Sequence, residues 1–219
     1  MLKSRLCIAF FAFAVGCAPA QKPLTDYVNP MLGTATLWDS VDLGFKPTKR
    51  TWGAEVFPGS SLPNAMVQVS PVTKFHSGAG YQYEDSVIYG FTHTNKGHWN
   101  LCHIPLLPVT GTPTPGDYCS PFSHERESAA PGYYQVFLDR YGVDAQLSST
   151  LRCAFHKYTY PAGAAASLLA DLQRSNEHVR AWDIRKEGDN VFAGWQQTGE
   201  KMYFYAVANR PVTGIEPVV

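Results

Sequence analysis

Apolar and polar residues alternate along the second half of the chain. The clearest case runs from Val143 to His156, where one set of alternate positions is largely apolar and the other largely polar. Such alternation places one set of side chains on each face of a strand, so it predicts one long, half-buried strand over 143–156. Residues 132–139 predict a second strand. Tyr141 and Gly142 between them predict a hairpin turn.

Further strand patterns follow at short intervals. The run 165–170 predicts a strand buried on both faces. The runs 181–185 and 191–196 flank a turn sequence at 187–190, which predicts another hairpin, and 202–208 predicts a last strand. Because no long amphipathic helix, repeat or linker is evident, the pattern predicts one all-β domain, a sandwich or barrel.

The first half of the mature chain is more irregular. Residues 29–75 and 93–125 contain scattered Pro and Gly, and the apolar run 104–109 is one of few strand-like segments there. The last residues, 209–219, include no polar tail. Since sheet edges need pairing or cover, we expect the sandwich to be incomplete at its C-terminus.

The N-terminus has the features of an export signal over residues 1–20. A short basic start precedes an apolar run at 6–15, which is too short to span a bilayer. Two cleavage sites compete: one after Ala20, and one before Cys17 in a lipobox-like context that would make Cys17 the lipidation site. Either predicts a mature domain within 21–219 that is exported to the bacterial periplasm, outer membrane or cell surface, or secreted.

Three cysteines remain in the mature chain: Cys102, Cys119 and Cys153. An odd number cannot be fully paired within one chain. One disulfide in an oxidising compartment and three buried free thiols are both open interpretations.

Composition narrows the class of ligand. Eighteen basic residues balance eighteen acidic ones, and a neutral chain is poorly suited to nucleic acid, where phosphate neutralisation supplies the affinity. Only 16% of residues are charged while 13% are aromatic. This balance favours an uncharged, polar ligand.

The segment 76–124 carries most of the candidate chemistry. It holds five of the seven histidines, interleaved with Tyr and with Trp99. A sugar has polar edges and C–H faces, so an aromatic surface surrounded by short polar groups suits it. A loop whose polar side chains satisfy its own backbone is the competing interpretation. A transition-metal site is a weaker alternative without CxxC or HExxH spacing; its candidate ligands are His98, Cys102, His103, Cys119 and His124.

Other chemistries find less support in the sequence. No G-x-S-x-G elbow and no strand-then-helix phosphate loop is present. Several acidic residues lie near aromatic ones, but no pair stands out as the two carboxylates of a glycosidase.

Several separated blocks resemble glycoside hydrolase family 92, the exo-acting α-mannosidases. They are similar, in order, to the family's YVNP-x-x-GT, YPGA-x-x-PFGMVQ-x-SP, GYxY, IxGFSHxH, FSHExE, PGYY and HRYTFP motifs. The matching segments are 27–34, 57–71, 80–83, 88–94, 121–125, 131–134 and 156–161. The segment 96–102 departs from the family pattern, which predicts a divergent subgroup.

The resemblance implies the N-terminal β-sandwich domain, of the supersandwich-like and galactose-mutarotase-like type found in carbohydrate-active enzymes. It also implies a second domain in the full-length protein, an (α/α)₆ barrel with the catalytic acid, the base and most ligands of an essential Ca²⁺. Hydrolysis of mannose-containing glycans would proceed with inversion. We therefore predict a fragment that lacks activity alone, with no catalytic residue and no metal ligand in this chain.

The sandwich is expected to contribute loops to the sugar pocket. We predict Trp99 to stack on a sugar, Glu125 to orient a neighbouring group and the polar side chains to bond hydroxyls; interdomain packing is the alternative role. The predicted substrate-binding residues are His93, Asn95, His98, Trp99, His124, Glu125, Tyr81 and Tyr83. The rival functions are a stand-alone carbohydrate-binding module and a non-functional product of an interrupted gene.

Overall fold

The computed structural model of the chain describes residues 21–37, 44, 56–96 and 99–218. In these residues strands predominate, with two short 3₁₀ helices, Leu24–Tyr27 and His124–Arg126. The strands are β1 (Ser60–Ser61), β2 (Gln68–Val72), β3 (Val87–Ile88), β4 (Gly90–Thr92), β5 (Asn95–Lys96), β6 (Trp99–Asn100), β7 (Leu106–Thr110), β8 (Ser120–Pro121), β9 (Glu127–Ala130), β10 (Tyr133–Leu138), β11 (Val143–Ser149), β12 (Ala154–Thr159), β13 (Ala166–Ala170), β14 (Ala181–Gly188), β15 (Val191–Gln197) and β16 (Lys201–Val207). The export signal 1–20 and Cys17 lie outside the described residues.

Two antiparallel sheets form the sandwich. One has five strands in the order β1-β2-β4-β7-β13, and the other has four in the order β12-β11-β10-β9. Their facing side chains make the main core, which confirms the predicted all-β sandwich. It includes Val69, Phe91, Leu107 and Val109 from the first sheet and Tyr134, Val136, Leu138, Val143, Ala145 and Leu147 from the second.

A third sheet, β14-β15-β16, packs beside the sandwich. Its residues Ile184, Met202 and Phe204 contact a smaller core formed by Ile104, Leu106 and Leu172. Neighbouring residues of β7 therefore serve different cores, because Leu106 faces the third sheet while the next residue faces the sandwich interior. This explains why β7 is buried at successive positions rather than at every second one.

The hairpins of the second half match their predictions. Strands β10 and β11 pair from Leu138 opposite Val143 outward, around the predicted turn. Strands β14 and β15 pair around the predicted turn at 187–190, with a register irregularity between Lys186 and Gly188.

The predicted single strand over 143–156 is wrong, because it is two strands of a hairpin. Strand β11 ends at Ser149 and β12 begins at Ala154. The Thr150 N–H donates to the Cys153 carbonyl at 2.8 Å, and the Thr150 hydroxyl accepts from the Cys153 N–H at 3.1 Å. Threonine competes with the strand ladder by bonding nearby backbone in this way, and the turn leaves Phe155 67% exposed.

The run at 165–170 also differs from its prediction. It forms strand β13, but β13 is the edge strand of the five-stranded sheet and pairs only with β7 among the described strands. Three of its five residues are exposed, including Leu168. An edge position gives this apolar run cover on one side only.

The three mature cysteines are free thiols, of which Cys102 is buried, Cys119 partly buried and Cys153 exposed. Neither sequence interpretation is matched, since no disulfide joins them and only one is buried. Within the described ranges, the structure contains no helix long and apolar enough to cross a membrane.

Candidate functional site

The β5–β6 hairpin presents the predicted sugar-stacking residue. Asn95 pairs with Asn100 and Lys96 with Trp99. The Trp99 side chain is 43% exposed, so part of its indole is available at the surface. The predicted residue His98 lies outside the described residues.

The base of this hairpin is fixed by Asn100, which is buried. Its side-chain oxygen accepts from the Cys102 N–H at 2.8 Å, and its carbonyl accepts from the Asn176 amide at 2.5 Å. Gly80 lies so close that a Cβ there would approach the Asn100 Nδ2 to 2.7 Å. These contacts fix the backbone at Asn100, the residue next to Trp99.

The backbone beyond the hairpin is strained. Cys102 and Ile104 both have φ near +54°, a left-handed conformation that non-glycine residues rarely adopt and that a β-branched residue adopts least readily. Buried His103 helps to hold it, since its ring bonds the Thr94 hydroxyl at 2.9 Å and the Thr198 hydroxyl at 3.1 Å. Strain of this kind persists only where the surroundings enforce it.

His93 forms a ring-to-ring hydrogen bond with His156, with 3.0 Å between their Nε2 atoms. The His93 Nδ1–H donates to the Ile104 carbonyl at 3.0 Å, so its Nε2 accepts from the His156 Nε2–H. The Tyr158 hydroxyl then donates to His156 Nδ1 at 2.7 Å. This order of donors is complete with one N–H on each imidazole, which is the neutral form.

Desolvation reinforces this neutral state. It lowers the pKa of His93 to about 4, and it lowers the pKa of His156 well below its usual range with a further contribution from His93. Both nitrogens of His93 are occupied inside the protein. Its geometry therefore favours a structural role over the predicted bond to a sugar hydroxyl.

A second polar cluster forms around Glu127, a residue that the sequence did not single out. Its side chain is only 2% exposed. The carboxylate accepts from the Tyr134 hydroxyl at 2.6 Å, from the Tyr81 hydroxyl at 2.9 Å and from His124 Nδ1 at 2.6 Å. Burial first, and then the charge of Glu127, raise the pKa of both tyrosines.

This cluster changes the roles predicted for Tyr81 and His124. Tyr81 is 1% exposed and its hydroxyl is committed to the carboxylate. His124 donates from Nε2 to the Tyr83 carbonyl at 2.7 Å, so both of its ring nitrogens are occupied. These two residues support the site from inside.

Tyr83 and Glu125 lie at the surface of the same region. The Tyr83 ring stacks on the His124 ring with 3.8 Å between centroids and 2° between planes, and the Tyr83 side chain is 40% exposed. Glu125 is exposed on the 3₁₀ turn, where its N–H donates to the Ser123 hydroxyl at 3.2 Å. Of these two, Tyr83 offers the flat surface that suits a sugar.

Asn95 has an unmet hydrogen-bonding capacity. Its amide nitrogen and oxygen are both shielded from solvent and have no hydrogen-bond partner within the described part of the chain, and the same is true of the Gln68 Oε1. A buried polar group without a partner costs about 1–3 kcal/mol. A water or a ligand hydroxyl that entered this shielded space would relieve that cost, and the substrate-binding role of Asn95 stays a prediction.

The described residues do not fit a metal centre. No group of three or more His, Cys, Asp or Glu among them could hold an ion. The His/Cys alternative thus finds no support within the described part of the chain.

Sequence reasoning missed Glu127 and His156, although signals for both were present. Glu127 falls three residues after His124, a spacing that brings the two side chains together on a tight turn. His156 opens a motif that resembles the family, yet its pairing with His93 joins strands far apart in the chain. Only the fold could reveal that contact.

An antiparallel β-sandwich with a surface tryptophan on a hairpin defines a class of domain that can present aromatic loops to a ligand. The chain matches the Glycosyl hydrolase family 92 N-terminal domain over residues 27–218 and belongs to that family. No curated protein matches it.

Solved structures of family 92 enzymes share the fold. The GH92 alpha-mannosidase BT3965 from Bacteroides thetaiotaomicron is 28% identical with a TM-score of 0.75, over 88% of this chain and 27% of that one. Its complex with mannoimidazole gives 28% and 0.73, over 88% and 26%. The inverting mannosidase BT2199 from B. thetaiotaomicron VPI-5482, 24% identical over 84% and 25%, has a TM-score of 0.65 and supports the fold alone. The chain spans about a quarter of the length of these relatives.

Proposed function

We propose that this chain is the substrate-pocket part of a secreted α-mannosidase-like glycoside hydrolase acting on mannose-containing glycans. The observation that carries the proposal is the β5–β6 hairpin, which presents the part-exposed Trp99 on one face and holds the unpartnered amide of Asn95 on the other. An indole face and an unsatisfied amide are the groups that a sugar ring with hydroxyls requires. Family membership and the mannosidase relatives support mannose as the sugar.

The chain alone is proposed to lack hydrolytic activity. The resemblance assigns the catalytic acid, the base and the Ca²⁺ ligands to an (α/α)₆ domain of the full-length protein. Export, through signal peptidase or a lipid anchor at Cys17, remains part of the proposal because the N-terminal pattern is that of a signal.

Binding of methyl α-mannoside and α-mannobiose to the purified chain, measured by calorimetry, tests the site. We expect Trp99→Ala to weaken binding about tenfold or more, in line with the cost of losing an aromatic contact. Trp182→Ala is the matched control, since Trp182 is also 43% exposed but lies on the third sheet. Equal losses in the two variants, or no binding by the unmodified chain, would contradict the proposal.

An activity assay tests whether the chain is a non-catalytic part of a mannosidase or contains catalytic groups of its own. We expect the purified chain to hydrolyse an aryl α-mannoside no faster than a heat-treated sample. Turnover well above that background would show that the chain contains its own catalytic groups. A stand-alone binding module would instead be supported if the purified chain binds glycan tightly and no longer product of the same gene has mannosidase activity.

A further inference from the structure

We propose that Glu127 is a positioning residue, which keeps His124 as an imidazolium beneath Tyr83 and so fixes the exposed Tyr83 ring as a stacking surface for the sugar. The sugar part rests on the proposed function. The charge state and the ring geometry stand on contacts within the chain.

The first step is the charge of His124. Its Nδ1 faces the Glu127 carboxylate at 2.6 Å and its Nε2 faces the Tyr83 carbonyl at 2.7 Å. Both partners are acceptors only, and a neutral imidazole carries one N–H. The ring satisfies both contacts only when both nitrogens are protonated.

The second step is the charge of Glu127. Two tyrosine hydroxyls and His124 converge on its two oxygens. An ionised carboxylate accepts all of these bonds. A carboxyl proton aimed at His124 Nδ1 would lie between a carboxylate and the more basic imidazole, so it belongs on the imidazole. A carboxylate that is 2% exposed needs a cation or donors beside it, and His124 supplies the cation.

The surroundings of the pair come from several elements. Tyr134 approaches from β10 and Tyr81 from the loop before β3, while the Phe122 ring meets the His124 ring edge-on, with 5.4 Å between centroids and 89° between planes. Asp85 is the other acid near Tyr81, and it accepts from the Thr73 hydroxyl at 2.8 Å. Among these described neighbours, His124 carries the positive charge.

The third step is the Tyr83 ring. A cation stacked in parallel on an aromatic face is stabilised by the electrons of that face, and the planes here differ by only 2°. The backbone of Tyr83 is held as well, because its N–H donates to the Thr34 carbonyl at 3.2 Å and its carbonyl accepts from His124. One face of the ring is thereby covered and oriented while the side chain remains 40% exposed.

Glu127→Gln tests this chain of contacts with little change in volume. The amide oxygen can still accept from the tyrosines, but the amide NH₂ presents a donor to His124 Nδ1, so the imidazole should become neutral. Glu125→Gln is the matched control, because it removes the same charge from an exposed position on the same turn.

Nitrogen-15 NMR of the histidine rings in the unliganded chain at about pH 7, near the ordinary pKa of histidine, reads the charge directly. We expect two protonated nitrogens on His124 in the unmodified chain and in Glu125→Gln, and one in Glu127→Gln. A neutral His124 in the unmodified chain would overturn the inference, whether or not any variant folds.

Mannoside calorimetry reads the sugar part. We expect Glu127→Gln to weaken binding about fivefold, Tyr83→Ala to weaken it at least as much, and the double variant to lose no more than Tyr83→Ala, because one contact acts through the other. Unchanged affinity in both single variants would overturn the positioning role while leaving the proposed function intact. In that case Trp99→Ala would still weaken mannoside binding while Tyr83→Ala and Glu127→Gln would not. If the unmodified chain binds no mannoside, both the proposed function and the proposed stacking of the sugar on Tyr83 are overturned.

Discussion

The His93–His156 pair and the His124–Glu127 pair surround their histidines differently, and we propose opposite states of charge for them. In the first, each ring meets another imidazole, a carbonyl or a hydroxyl, and desolvation keeps both rings neutral. In the second, the ring lies between a buried carboxylate and a backbone carbonyl, and both are hydrogen-bond acceptors. Burial and the hydrogen-bond partners together account for this difference, and residue type does not.

The largest expected effect comes from removing the carboxylate altogether. Glu127→Ala should lower the free energy of unfolding by about 3–5 kcal/mol, since it leaves two buried tyrosine hydroxyls without an acceptor and a gap in the core. Urea denaturation measures this change. Glu125→Ala, at an exposed position, should change stability by about 0.5 kcal/mol or less; similar losses in both variants would show that Glu127 is no special support.

The neutral pair predicts a loss of stability in acid. The pKa of His93 is about 4 in the folded chain and about 6.5 when unfolded, so the unfolded chain binds more protons between these values. The contribution is fully present above about pH 6.5 and is lost as the pH falls through about 4, and its size is about 3 kcal/mol.

The test compares urea midpoints at several pH values in that window. We expect His93→Gln to show a shallower loss than the unmodified chain, since one depressed group is gone. His178→Gln, which removes an exposed histidine, should keep the original slope. A parallel slope in His93→Gln would mean that the acid sensitivity comes from other groups.

A smaller loss of stability should follow from a substitution at Gly80, which lies against Asn100. Gly80 and Gly111 share a left-handed φ, +77° and +72°, but only at Gly80 would a Cβ meet Asn100. The left-handed backbone should lower the free energy of unfolding of both alanine variants by about 1 kcal/mol. Gly80→Ala should lower it by about 1 kcal/mol more, because its Cβ displaces the Asn100 side chain. Equal unfolding free energies in the two variants would show that Asn100 moves without cost.

Local patterns in the sequence predicted much of the fold. The strands around 132–139 and 181–196 and their turns were recognisable because alternation and turn residues act over short distances. The turn after Ser149 was missed because the polar–apolar alternation continues through it, and the bond from Cys153 to Thr150 that closes it is not part of that pattern.

The candidate site was predicted less completely than the fold. Trp99 and Tyr83 were identified by their aromatic character and are indeed part-exposed. The internal use of His93 and Tyr81 was not foreseeable, because their partners His156 and Glu127 lie far along the chain and only strand pairing brings them near. Polar residues in a loop look alike in sequence whether they bind a ligand or each other.

The order of strands has a consequence for how the chain reaches its folded state. Among the described strands, β9 to β12 pair only with their neighbours in sequence, so this sheet can form from local hairpins. Its residues separate β7 from β13, which must still meet across that whole interval. Distant pairings form more slowly than local ones, so the edge of β7 remains unpaired until β13 pairs with it. An unpaired strand edge can associate with other chains, and the domain is most prone to aggregation during that interval of folding.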